Sequence, residues 1–430
     1  VVVNDRLAGF RSLMFALALT SCSPQTTEQA GTAAVSSTSE SAAPATVPAA
    51  QLPAAQVTTA IPNVPTSAPA GSAKAPSAPR PTSISFMPWV VENCTIDALA
   101  PTPYSRAWLH YPKPADWVRP SDPTPLYDSR VPPKPGSLAA KETAAALEQA
   151  WLERPESHVL DCSFRLYARK CPHCVKQENT LVRYVVYLPA KTFIDPTRVN
   201  SVLMIVPGGH GGRSRAFLRP INGLSVWDKG SGGLDSKSLA DAYYASAPES
   251  EQSLIVSLET SGIQHGSGAV EYLTYDIEQH LRSTFLPRTK PLRIGVDGVS
   301  SGAREIVRAA FAKPTSFRTI GLHCMACGGI HPERRLLGSR SELLEFGQTL
   351  AQLRREGRFD LRMSIGSRDN QLPCNKAYWA LFREAGLVTD ADADLFHIVP
   401  GALHDFLFLA QAFPTHLQWH LEKLSQPTPD

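Results

Sequence analysis

The sequence predicts an α/β fold: a mostly parallel central sheet, an antiparallel hairpin leading into it, and helices on both faces. Three observations carry this. Short apolar runs of parallel-strand length recur between residues 201 and 399. Amphipathic segments long enough for helices separate them. The loops that follow the runs hold the Gly, Ser, Asp and His residues that a reactive rim requires. Parallel strands are buried on both faces and read as continuous apolar runs, and each parallel connection needs a crossover that a helix can fill.

The first segment of the chain is expected to be a targeting signal. Arg6 and Arg11 precede the apolar run Leu13 to Leu19, and Thr20-Ser21-Cys22 follows. That is the charged, apolar, small-residue order of an export signal, and the run is too short to span a bilayer. Leu19-Thr20-Ser21-Cys22 resembles a bacterial lipobox. The resemblance implies a signal peptide over residues 1–21, lipidation of Cys22, and an extracytoplasmic protein whose membrane contact is the lipid anchor alone. An ordinary signal peptide cleaved nearby stays open. Residues 22–85 read as a disordered linker, because residues 23–85 hold ten prolines, four charges and no aromatic residue. Such a composition cannot bury enough apolar surface to offset the entropy of ordering it.

Residues 86–156 form a Pro- and Trp-rich extension without clear period. They are expected to wrap over the domain surface, anchored by Trp89, Trp108 and Trp117, with one helix from Leu138 to Leu152 that puts Leu147, Ala150 and Trp151 on one face. The remaining domain, residues 157–430, opens on a hairpin of Val159–Tyr167 and Leu181–Leu188. Six strand-like runs follow: Ser201–Val206, Leu254–Leu258, Leu292–Val299, Thr319–His323, Leu361–Ile365 and Phe396–Val399. The helical segments are Leu239–Ala247, Val270–Phe285, Arg304–Ala312, Leu343–Arg355, Lys376–Ala385 and Phe406–Leu424. Lys+Arg 42 against Asp+Glu 39 leaves a net charge of +3, which gives no footprint for nucleic acid. The one basic cluster, Arg165 to Lys176, reads as a solvated hairpin tip.

Gly298-Val299-Ser300-Ser301-Gly302 lies between a strand-like run and a helix-like segment. A Gly-x-Ser-x-Gly turn in that setting lifts the serine hydroxyl off the sheet edge, making Ser300 a candidate nucleophile. Ser301 is the poorer choice, because Val299 would then stand where the turn needs a small residue. In an open α/β sheet the reacting groups belong at the carboxyl ends of strands. After Ser201–Val206 comes Pro207-Gly208-Gly209-His210-Gly211-Gly212, whose backbone N–H groups suit an oxyanion; Gly209, His210 and Ser301 are the candidate donors. After Leu361–Ile365 comes Asp369, the candidate acid, with helix capping as its other reading. After Phe396–Val399 comes His404, the candidate base. Asp360 stands at the wrong end of its strand, Asp297 lies inside one, and His397 reads as a packed strand residue.

Ser300, Asp369 and His404 follow the chain order of the α/β-hydrolase triad. With Val186-Tyr187-Leu188-Pro189, the Gly208–Gly212 loop, Asp276, Gly366 to Asp369 and Pro400-Gly401 to His404-Asp405, residues 181–425 resemble the esterase D-like branch of the α/β-hydrolases, which includes feruloyl and acetyl-xylan esterases. The resemblance implies the α/β-hydrolase fold, hydrolysis of a carboxylic ester through an acyl-enzyme, a small-molecule or polysaccharide-linked ester substrate, and no metal or organic cofactor. Two departures stand out: Pro207-Gly208-Gly209 precedes the His-Gly pair, and Ser301 stands where the family more often has Met or Gln. A serine peptidase on the same scaffold and a non-catalytic binding lipoprotein stay open as rival readings.

Seven cysteines follow Cys22. In an exported protein disulfides are the default, and the odd number leaves one over. Cys324-Met325-Ala326-Cys327 and Cys374 lie on loops of neighbouring strands. A disulfide from Cys324 or Cys327 to Cys374, with Cys327–Cys374 preferred, would brace the loop of Asp369. A four-cysteine zinc site from Cys171, Cys174, Cys324 and Cys327 is the alternative.

Overall fold

The computed structural model describes residues 83–96, 136–166, 180–208, 236–248, 250–258, 267–286, 291–327, 338–404 and 406–426. All belong to the larger of the two units of the chain, Lys74–Asp430. The expected signal peptide, Cys22 and the linker up to residue 82 lie outside the described residues, as do Trp108, Trp117, Cys171, Cys174, Gly209, His210 and most of the basic cluster. The last linker residues, 83–85, are described and depart from expectation: Ile84 is buried, and its N–H donates to Glu148 Oε1 at 2.6 Å.

In chain order the elements are α1 (Met87–Asn93), β1 (Cys94–Ile96), α2 (Leu138–Glu153), β2 (His158–Leu166), β3 (Thr180–Leu188), α3 (Lys191–Ile194), β4 (Val199–Val206), α4 (Ser236–Ser246), β5 (Gln252–Leu258), α5 (Ser267–Glu271), α6 (Ile277–Thr284), β6 (Arg293–Val299), α7 (Ser301–Ala312), β7 (Thr319–His323), α8 (Arg340–Arg355), β8 (Asp360–Gly366), α9 (Leu372–Glu384), β9 (Phe396–Val399) and α10 (Phe406–Ser425). The strands form one sheet in the order β1-β2-β3-β5-β4-β6-β7-β8-β9. β1, β2, β3 and β5 pair antiparallel, while β5, β4, β6, β7, β8 and β9 run parallel. This is the expected α/β-hydrolase architecture, with the hairpin leading a six-strand parallel block.

The parallel strands are buried from both sides, which is why they read as apolar runs. Along β4 the side chains of Val202 and Met204 join one core, and those of Leu203 and Ile205 join the other. The first core lies against α1, α2, α6, α7, α8 and α9. The second lies against α4 and α10, with Tyr244, Phe408 and Phe413 filling it. α2 is started by Ser137, whose hydroxyl accepts the Ala140 N–H at 3.1 Å. Its buried stripe is Ala140, Ala144, Leu147 and Trp151; Ala150 sits at the border of that stripe.

Two elements differ from expectation. The extension shows no clear period up to α2 and is expected to wrap over the surface, yet α1 packs Met87, Val90 and Val91 into the core, and β1 adds a strand beyond the hairpin. A disulfide joins Cys94 to its cross-strand partner Cys162. Elements of seven and three residues are too short to display a period. The segment Val270–Phe285, expected as one helix, is interrupted by a π turn at Tyr272–Asp276. Tyr272, Leu273 and Thr274 are all buried in succession.

His280 of α6 shows how tightly the extension is seated. Its ring stacks on Phe164 at 4.0 Å between centroids, lies 5.2 Å from Trp89, and has its Nε2 hydrogen bonded with the Tyr184 hydroxyl at 2.8 Å. Burial lowers its pKa from 6.5 to about 4. The unfolded chain therefore binds this proton at a higher pH than the native fold does. The stability this group contributes is complete above its unfolded pKa and is lost as pH falls toward the folded one, a loss of up to about 3 kcal/mol. Urea unfolding at pH 7 and near pH 4.5 is expected to show a smaller drop in midpoint for His280→Gln than for the wild type. An identical drop in both proteins would remove His280 as the cause.

Candidate active site

The sheet order places a switch point between β4 and β6. From β4 the chain steps outward to β5, then returns to the other side of β4 as β6. Connections leave such a pair in opposite directions, which opens a crevice at their carboxyl ends. Ser300 stands there, directly after β6 and directly before α7. Its φ of 54° and ψ of −118° are among the two positive-φ backbones of non-glycine residues in the described part. A backbone held in so sparse a region costs on the order of 1–3 kcal/mol and persists only when the surroundings over-determine it. They do so here. The Ser300 N–H donates to the carbonyl of His323 at 2.9 Å, and the Ser300 carbonyl accepts from Ala326 at 3.0 Å and Arg304 at 3.3 Å.

Glycines make the turn sterically feasible. A Cβ on Gly208 would lie 2.5 Å from the Val299 carbonyl oxygen and 2.6 Å from Ser300 Cβ. One on Gly302 would collide with the carbonyls of Val206 and Pro207. The end of β4 and the elbow therefore touch backbone to backbone. Ser301 opens α7, so its N–H belongs to the positive end of the helix dipole beside Ser300. Gly209 and His210 fall outside the described residues, though Gly208 puts the start of their loop against the elbow.

The loops after β8 and β9 are laced together. Ser367 N–H donates to Val399, Arg368 N–H to Ala402, both at 2.9 Å, and Gly401 N–H to the Ser367 hydroxyl at 2.8 Å. This lacing brings Asp369 to His404. Asp369 Oδ2 lies 2.8 Å from His404 Nδ1, and His404 Nε2 lies 2.9 Å from Ser300 Oγ. The carboxylate can only accept, so Nδ1 carries the proton and Nε2 presents its lone pair to the serine hydroxyl. The carboxylate of Asp369 has no solvent exposure, whereas the His404 ring is 35% exposed. The other carboxylate oxygen, Oδ1, accepts the N–H of Gln371 at 2.7 Å, at the start of α9. Asp369 thus faces the imidazole and closes a turn just ahead of α9; the N-cap of that helix is Gln371, so Asp369 does not cap it.

Cys327 and Cys374 form a disulfide, which ties the loop after β7 to the first turn of α9. Gln371 Oε1 accepts the Cys327 N–H at 3.1 Å, and Asn375 Nδ2 donates to the Met325 carbonyl at 2.9 Å, so the same loop is held from three points. This corrects the four-cysteine zinc alternative: with its sulfur in the disulfide, Cys327 is no thiolate ligand. Cys324 is not part of that bond; its sulfur lies within 4.8 Å of the carboxylate of Asp369 and a ring nitrogen of His404.

Residues set aside in the sequence are also placed. Asp360 begins β8, at the opposite end of the sheet, with Lys423 at 3.1 Å and Arg354 at 3.6 Å. His397, expected to be packed, is exposed, because β9 is the edge strand of the sheet. Asp297 is fully buried and faces three histidines, His323, His416 and His420. Sequence reading missed that group. One signal in the sequence is the four-residue spacing of His416 and His420, which places two rings on one helical face.

No family model matches the chain, and no curated protein matches it. Among solved structures, a ferulic acid esterase is similar over 63% of this chain and 99% of its own, at 15% identity and a TM-score of 0.46. An S-formylglutathione hydrolase from Agrobacterium tumefaciens matches 62% of this chain and 96% of its own, at 16% identity and a TM-score of 0.40. A ferulic acid esterase from the anaerobic fungus Anaeromyces mucronatus matches 61% and 91%, at 16% identity and a TM-score of 0.40.

Proposed function

We propose that this chain is an extracytoplasmic serine hydrolase of carboxylic esters. One observation carries the reading: hydroxyl, imidazole and buried carboxylate from three separate strand ends stand in hydrogen-bonding sequence, at 2.9 Å and 2.8 Å. In the proposed reaction, His404 Nε2 takes the Ser300 proton as Oγ attacks the ester carbonyl. Asp369 holds the ring in the reactive tautomer and stabilises the imidazolium. The N–H of Ser301, with donors from the loop of Gly209 and His210, stabilises the oxyanion. The imidazolium then protonates the leaving alcohol, and a water activated by the same ring releases the acid. Small-molecule and polysaccharide-linked esters are both within this chemistry.

The disulfides Cys94–Cys162 and Cys327–Cys374 support an oxidising compartment. The export-signal order of residues 1–21 and the lipobox-like Cys22 support tethering to a membrane.

Turnover of p-nitrophenyl acetate by the full chain is expected to vanish in Ser300→Ala and to fall by about 10³–10⁴ in Asp369→Asn, where the tautomer control is lost. A fluorophosphonate probe is expected to label Ser300. Equal rates in the wild type and Ser300→Ala would refute the assignment, and a wild type that neither labels nor turns over ester would favour a binding lipoprotein.

Gly208→Ala tests the close approach at the elbow. Pressing a methyl onto Val299 and Ser300 is expected to lower stability by about 1–3 kcal/mol in urea and to slow probe labelling. Unchanged values for both would show that the two loops do not touch. Cys22→Ala is expected to move the chain from the membrane fraction to the soluble fraction of a bacterial host; retention in membranes would exclude the lipid anchor.

A further inference from the structure

A polar group sits in the apolar core beneath the elbow. Asp297 lies on β6 three residues before Ser300, His323 ends β7, and His416 and His420 are one turn apart on α10. The Asp297, His323 and His420 side chains have no exposure, and that of His416 has 2%. Asp297 Oδ1 lies 3.0 Å from His323 Nε2, while Oδ2 lies 3.5 Å from His416 Nδ1 and 3.1 Å from His420 Nε2.

Hydrogen bonding accounts for only part of this group. His420 is fully used, with Nε2 on Asp297 and Nδ1 facing the Thr319 hydroxyl at 2.8 Å. His323 Nδ1 faces the Ser364 hydroxyl at 2.6 Å. Asp297 Oδ1, His323 Nε2 and both ring nitrogens of His416 have no hydrogen-bond partner, although all are buried. The 3.0 Å approach of His323 to Asp297 is therefore not an aligned hydrogen bond. Buried polar atoms left in this state forfeit their hydration with no return.

The spacing fits another arrangement. Metal–ligand distances of about 2.0–2.1 Å set adjacent ligands of a tetrahedral site roughly 3.3 Å apart. One ligand atom each from Asp297, His323 and His416 lies within 4.8 Å of the others. The hydroxyl of Ser364 on the far nitrogen of His323 and the ring of His420 on Asp297 are the outer partners that metal ligands use to hold their orientation. The strands also make room. A Cβ on Gly321 would lie 2.5 Å from Asp297 Oδ2 and 2.6 Å from His420 Nε2, so only glycine fits between them.

We propose that Asp297, His323 and His416 bind one divalent transition-metal ion, with zinc the best match to a carboxylate and imidazole set. The ion would be structural. It would join β6, β7 and α10 beneath the elbow, at the residue whose carbonyl receives the Ser300 N–H. It takes no part in ester hydrolysis, and the inference does not rest on that reading.

The test is metal content and stability of the full chain, stripped with dipicolinate and reconstituted with Zn²⁺. The wild type is expected to hold about one equivalent by mass spectrometry, and His416→Gln below about a tenth of that. Zn²⁺ is expected to raise the Tm of the stripped wild type, and Co²⁺ to give a visible absorption whose strength reports the coordination. Should His416→Gln fail to fold, the Co²⁺ spectrum and Tm of the wild type decide alone. A wild type that keeps less than about a tenth of an equivalent and melts at the same temperature with and without Zn²⁺ overturns the proposal. So does a His416→Gln protein that binds as much metal as the wild type.

Discussion

The rim depends on the backbone hydrogen bond from Ser300 to the carbonyl of His323. A serine with positive φ relaxes unless both of its peptide groups are held. The end of β7 holds one directly, and Ala326, three residues further, holds the other. The same loop then reaches the acid side of the site. Met325 receives Asn375, Cys327 is bonded to Cys374, and Gln371 spans from Cys327 to Asp369. A displacement of the β7 loop would therefore move hydroxyl and carboxylate together. The geometry of the three side chains is a property of one braced loop more than of three separate ones.

The sheet contributes rigidity to that loop from two unequal sides. The first core is broad and draws on α1, α2 and the helices α6 to α9. The second is narrower, and α10 supplies much of it through Phe408, Leu409, Phe413, Leu417, Leu421 and Leu424. α10 follows His404 after a single residue. The helix that seals the second core thus anchors the segment carrying the imidazole, so packing of α10 and placement of His404 are one constraint.

Much of this was legible in the residues, and the reason is physical. The strands of the parallel block are covered on both faces, so Leu203 and Ile255 lie in apolar runs whatever the details of their partners. The rim residues were legible because only a turn at a strand end explains Gly298 to Gly302, and because Asp369 and His404 follow later strands at the same edge. The parts that were hidden depend on long-range pairing. β1 is strand only because Cys94 to Ile96 meet Leu160 to Cys162. The π turn at Tyr272–Asp276 interrupts a segment whose residues read as one helix. The cluster around Asp297 joins two strands and a helix. In the sequence it shows only as histidines in apolar surroundings and as Gly321 inside a strand, the kind of glycine that marks a close approach.

The molecule thus carries two pairings of aspartate with histidine at different depths, and their exposure separates what each can do. His404 is 35% exposed and faces a hydroxyl at the crevice, so a proton can pass between its ring and a molecule that arrives and leaves. His323 has no exposure and packs against the rings of Phe408 and Phe413. Burial that would disable a base is what a structural centre needs, since exclusion of water strengthens every interaction of a charge placed there. Asp369 combines the two environments: its carboxylate is as buried as that of Asp297, but its partner is not. A shielded carboxylate fixes the ring without competing for the substrate, and the open ring does the exchange. The depth of each side chain beneath the rim, more than its chemical type, assigns its work.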